Sequence, residues 1–125
     1  MTNVKSSPKT KAQNRYDLGE RTDIFAENIV DFVRLLPNNA INKPLISQIV
    51  RSATSIGANY MEADGAESKK DFKHKIALCK KEAKETMHWL RIIAKANPNF
   101  IEKCRALWRE THELVLIFSA IFNKC

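Results

Sequence analysis

The stretch SKKDFKHKIALCKKEAKETMHWLRIIAKANP, residues 68–98, decides the fold. It opens on Ser68 with Asp71 three residues later, a capping-box arrangement with Asp in the place usually held by Glu or Gln. It closes on Asn97-Pro98, where a fixed φ and a missing N–H end a helix. Between these signals Phe72, Ile76, Cys79, Ala83, Met87, Leu90 and Ala94 recur at spacings of three and four. At about 100° per residue they share one face, which predicts a long amphipathic helix with that face turned to a core.

Two further faces of the same helix carry functional expectations. Lys69, Lys73, Lys80, Lys84, Arg91 and Lys95 fall within about 80° of one another and form a basic ridge that few acids interrupt. Such a ridge attracts phosphate backbones without reading sequence. Its bland counterpart is a solvated helix face. Leu78, Trp89 and Ile92 form an apolar strip beside Glu82 and Glu85. Contiguous apolar exposure marks an interface, so the strip predicts self-association, with Glu82 and Glu85 at its edge meeting basic groups of another helix; the bland counterpart is that Trp89 covers an edge of its own bundle.

Working outward, three more helical patterns appear. Thr22 is read as the N-cap of a first helix whose stripe is Phe25, Ile29, Phe32, Val33 and Leu36; Pro37 and Asn38-Asn39 follow. A second helix opens at Asn42 with Pro44 in its first turn, and Leu45, Ile46, Ile49, Ala53, Ile56, Gly57 and Tyr60 share one face of it. Its small residues, Ala53, Gly57 and Ala58, invite close helix approach, and Asp64-Gly65 breaks it. Asn99 and Glu102 are read as a cap-like pair for a fourth helix. That helix carries the stripe Phe100, Cys104, Leu107, Trp108, Thr111, Leu114, Val115, Phe118, Ile121 and Phe122. No segment alternates as a strand does. The predicted fold is all-α, an antiparallel up-down-up-down four-helix bundle.

The chain has 125 residues and a formal net charge of +7, enough for one core and too short for two. Lys5, Lys9, Lys11 and Arg15 lie in an opening segment without acids, read as a flexible basic tail over residues 1–15. The bundle domain, residues 16–125, then holds 17 of the 21 basic residues against all 14 acids. Three cysteines without CxxC spacing argue against a disulfide framework or a zinc knuckle and for the reducing cytoplasm. No segment reads as a secretory signal or a membrane span.

Catalytic chemistry is not expected. His74, His88 and His112 are isolated, with no HExxH or comparable metal pattern. Phosphate-binding glycine loops and a nucleophile elbow are missing. No catalytic residue, metal ligand or cofactor is assigned. The leading expectation is an oligomeric accessory protein that binds RNA or DNA through the ridge. The alternative is a protein-interaction module whose basic surface recruits an acidic partner.

A family resemblance rests on linked motifs. Tyr16-Asp17-Leu18-Gly19-Glu20-Arg21-Thr22 leads into the first helix, and Ile41-Asn42-Lys43-Pro44-Leu45-Ile46-Ser47-Gln48 into the second. The run Arg51-Ser52-Ala53-Thr54-Ser55-Ile56-Gly57-Ala58-Asn59-Tyr60 follows, then Glu62-Ala63 and Ala66-Glu67-Ser68. Asp71-Phe72, Glu82-Ala83-Lys84-Glu85-Thr86 and Trp89-Leu90 complete the pattern. Together they resemble the bacterial four-helix-bundle proteins related to those encoded in intervening sequences of 23S ribosomal RNA genes. The match is close over about residues 16–96; Met61 and Asp64-Gly65 stand where relatives vary. The resemblance implies a small, non-enzymatic, cytosolic homopentamer. A distant relative is the accessory variability protein of diversity-generating retroelements, a basic pentamer that associates with a reverse transcriptase and nucleic acid. The resemblance also marks Arg51, Asn59, Glu62 and Glu85 as signature polar positions, which implies a polar network where helices pack.

Overall fold

In the computed structural model, which describes residues 17–125, four helices follow one another: α1 (Leu18–Val33), α2 (Asn42–Asp64), α3 (Lys69–Ala96) and α4 (Ile101–Lys124). A single 3₁₀ turn, Pro98–Phe100, precedes α4. Among the described residues there is no strand, and no helix is long and apolar enough to cross a membrane. The tail assigned to residues 1–15 lies outside the described residues.

Contacts between neighbours show the helices running antiparallel. From α2 to α3, Glu62 meets Lys75, the Ile56 carbonyl meets Cys79, Ser52 meets Thr86 and Arg51 meets Glu82 and Glu85. One number falls as the other rises. The same reversal links α1 to α4 and the 3₁₀ turn before it, where Arg21 meets Glu110 and Phe32 meets Phe100 edge-on at 6.3 Å. α3 packs along both α2 and α4, whereas α1 touches α4 sparingly. The fold is therefore an all-α four-helix bundle.

The core is filled from every helix. Phe25 and Ile29 of α1, Ile49 and Ile56 of α2, Ile76, Leu90 and Ile93 of α3, and Leu114 and Phe118 of α4 are fully buried. Each such side chain contributes about 1.5–3 kcal/mol by leaving water. Gly57 explains the close approach of α1 and α2: a Cβ there would stand 3.1 Å from the Thr22 hydroxyl and 3.4 Å from an Asp23 carboxylate oxygen.

Three local expectations are corrected. α1 begins at Leu18, with Asp17 as the N-cap accepting from the Glu20 N–H at 3.1 Å. Thr22 is not a cap: buried inside the helix, it donates back to the Leu18 carbonyl at 2.8 Å. The reason is Leu18, which extends the apolar stripe by a turn and draws the helix start with it. Asn99 and Glu102 form no side-chain cap, because Asn99 is taken into the 3₁₀ turn and α4 starts at Ile101. Trp108 does not join the buried stripe of α4; Cys104, Thr111, Leu114 and Phe118 do, and Trp108 stands at the stripe's edge, 39% exposed. Ser68 does cap α3, accepting from the Asp71 N–H at 3.0 Å.

Candidate functional site

α3 presents its three faces to three surroundings. Ile76, Cys79, Ala83, Leu90 and Ile93 turn inward and are buried. On the flank facing α4 lies the basic ridge. Lys69, Lys84, Arg91 and Lys95 are exposed, while Lys73 and Lys80 are half-buried. The Lys73 ammonium sits over the Phe122 ring, 4.7 Å from its centroid, a cation–π contact that leaves the charge uncompensated. None of the six has a carboxylate oxygen within 4 Å among the described residues. Lys70 and Lys81, which the ridge spacing passed over, are exposed on the adjoining surface and widen the positive field. At its N-terminal end the ridge borders an open depression of about 720 Å³ whose lining includes Lys69, Lys70, Lys73 and Lys124 together with Glu67.

The flank facing α2 behaves differently. Arg51 reaches across to Glu82 at 3.2 Å and also binds Glu85, and Glu85 in turn accepts from the Trp89 indole at 3.2 Å. The cation that meets Glu82 and Glu85 thus comes from α2 of the same chain. Burial alone raises the Glu85 carboxyl, but hydrogen bonds from Trp89 and Arg51, with the charges of Arg51 and Lys81, outweigh it and hold it below the usual carboxylate range. The hydrogen bond to Glu85 raises the Arg51 guanidinium against a smaller desolvation. Glu62 pairs with Lys75 at 2.7 Å, and Asn59 donates to the Ser55 carbonyl at 2.9 Å within α2. Arg51, Glu82 and Glu85 are thus one cluster; Glu62 and Asn59 are separate from it.

The apolar strip lies along this second flank. Leu78 and Trp89 are half-buried, and Trp89 packs partly on its own core. Ile92 is the most open member, 36% exposed. His88 is exposed and meets the Trp89 ring edge-on at 4.8 Å.

Sequence spacing missed two features. On α4, Trp108 stacks on His112 with ring centroids 5.3 Å apart and planes 22° apart. At one end of the bundle, Asn42 and Asn97 exchange hydrogen bonds in both directions at 2.9 Å. The i,i+4 spacing of Trp108 and His112 was the available signal for the first; Asn at a helix start and Asn before Pro gave none for the second. Among the described residues no group of three or more His, Cys, Asp or Glu converges on a metal-sized site. Burial raises the Cys79 thiol to about 12 and the Cys104 thiol to about 11, so neither is poised as a nucleophile.

Comparison with known proteins agrees with this architecture. The profile described as 23S rRNA-intervening sequence protein matches residues 16–120. The crystal structure of a protein of unknown function from the S23 ribosomal protein family of Bacteroides thetaiotaomicron is similar, at 31% identity and a TM-score of 0.77. That similarity covers 84% of this chain and 97% of the other. No curated protein matches in sequence.

Proposed function

This chain belongs to the 23S rRNA-intervening sequence protein family, and from that premise we propose a non-enzymatic accessory protein that self-associates and holds RNA or DNA along the α3 ridge. One observation carries the reading. Glu62, Glu82, Glu85, Glu102 and Glu110 all pair with cations outside the ridge, and none of the six ridge cations has a carboxylate partner among the described residues. Unpaired, aligned cations are what a phosphate backbone requires. A gel-shift series from low to physiological salt tests it: binding at low salt that weakens steeply supports the ridge, and no shift at low salt overturns it. Nuclease-resistant capture of one protein, an acidic partner or a reverse transcriptase, would favour the protein-interaction reading instead.

Self-association is assigned to the Leu78, Trp89 and Ile92 strip with Glu82 and Glu85 at its edge, and a ring of five is what the family resemblance implies. Ile92→Glu is the cleaner probe, since Trp89 also supports its own core. Light scattering is expected to give a mass several times 14.3 kDa for the parent chain and a lower one for the variant. A parent monomer at micromolar concentration removes the interface. The cytoplasm, whose thiols are kept reduced, suits the free cysteines Cys79, Cys104 and Cys125.

A further inference from the structure

The Trp108–His112 stack has no role in the bundle core, and its position relative to the ridge gives it one. Lys73 over Phe122 fixes the register of α3 against α4. From Phe122 to Trp108 is 14 residues, about 21 Å along α4; the same rise along antiparallel α3 runs from Lys73 to Met87. Trp108 is therefore level with Met87, between Lys84 and Arg91. Fourteen residues also return a helix to within about 40° of the same face, so the face of α4 that turns Phe122 to the ridge carries Trp108 along it.

An exposed indole is thus set beside cations that have no carboxylate partner among the described residues, with Arg109, exposed and likewise without one there, on its own helix. His112 braces the ring by near-parallel stacking. Lysine and arginine take phosphates, and a braced aromatic plane takes the face of an unpaired base. A duplex hides its base faces in the stack and offers this surface phosphates alone.

We propose that Trp108, braced by His112 and flanked by Lys84 and Arg91, is a base-stacking platform that makes the ridge a site for single-stranded nucleic acid. This rests on the ridge reading, and its test separates the two. Labelled ten-nucleotide oligouridylate and a labelled RNA duplex of equal length are titrated into the full chain at low salt, with Trp108→Leu and Trp108→Phe beside the parent. The expected result is single-strand affinity lowered about 5- to 100-fold by Trp108→Leu, largely kept by Trp108→Phe, with duplex affinity and salt dependence unchanged. Tryptophan fluorescence of a Trp89→Phe chain, which reports Trp108 alone, is expected to be quenched by the oligouridylate.

Equal affinity of Trp108→Leu and parent for the single strand overturns the platform and leaves the ridge standing. Parallel loss for both nucleic acids overturns it as well. When that loss comes with a lower mass in light scattering, the indole belongs to a contact with a second copy. A parent chain that binds neither probe at low salt removes ridge and platform together.

Discussion

Asn97→Leu removes half of the reciprocal amide pair that ties the end of α3 to the start of α2. Asn42 is 1% exposed and Asn97 6%, so neither group has water to fall back on. The Asn42 Nδ2 keeps a bond to the Pro37 carbonyl at 2.8 Å, and the Ile93 carbonyl keeps the backbone N–H of residue 97 at 2.9 Å. The Asn42 Oδ1 loses its Asn97 donor and is left buried with no side-chain partner. An unsatisfied buried acceptor costs roughly 1–3 kcal/mol. The two other lost bonds, Asn42 Nδ2 to Asn97 Oδ1 and Asn97 Nδ2 to the Ile93 carbonyl, together cost about 1 kcal/mol more, since Asn42 Nδ2 and the Ile93 carbonyl each keep a partner. For roughly 110 residues the entropy of unfolding is about 0.23 kcal/mol/K, so a loss of about 3 kcal/mol lowers Tm by about 13 °C. Urea unfolding followed by circular dichroism at fixed protein concentration measures the loss. Asn42→Leu with Asn97→Leu removes the orphan along with its partner, so the double variant is expected to lose about 1–2 kcal/mol less than the sum of the single losses. Additive losses, or an Asn97→Leu loss below about 0.5 kcal/mol, would refute the reasoning.

Other perturbations follow from the same contacts. Gly57→Ala sets a helix-propensity gain of about 1 kcal/mol against crowding of a Thr22 hydroxyl already bonded to Leu18, so unfolding midpoints are expected to change little. Gly57→Leu overpacks the α1–α2 contact and is expected to lose about 1–3 kcal/mol in the same assay. With a thiol reagent near neutral pH, exposed Cys125 reacts at once while Cys79 and Cys104 react only after denaturation; three fast thiols in the native protein would contradict their burial. The Glu85 carboxyl titrates lower when folded than when unfolded, so its contribution is present above the ordinary value of 4.5 and is lost as pH falls through its depressed folded value. Glu85→Gln is therefore expected to flatten the fall in urea midpoint below pH about 5, by no more than about 1 kcal/mol for so exposed a pair, and an unchanged profile would remove the linkage.

The helices were legible because their signals are local. Ser68 with Asp71 and Asn97 with Pro98 bracket α3 without reference to anything else, and the spacing of three and four finds the inward face. Thr22 was misread because a threonine suits a cap and, at i,i+4 from Leu18, also suits a buried turn; the choice depended on whether Leu18 joined a core built from distant helices. The same holds for Ser52 and Thr86, whose hydroxyls meet at 2.8 Å inside the bundle, and for Asn42 and Asn97. Each polar side chain reads as surface until its partner from another helix is in place. The ridge was visible as charge on a wheel, but its lack of carboxylate partners was not, since Arg51 rather than a ridge lysine takes Glu82 and Glu85. Trp108 fell outside the buried stripe because the core closes on Cys104, Thr111, Leu114 and Phe118, a geometry set by α3.

The salt dependence of nucleic-acid affinity tests the central claim most directly. Six phosphate contacts on a single strand give a log–log slope of about −4, a loss of about 300-fold between 50 and 200 mM salt. Lys84→Ala and Arg91→Ala are each expected to lower that slope by about 0.7 and to weaken binding whatever the sequence offered. A slope near zero, or one untouched by either substitution, would contradict the account.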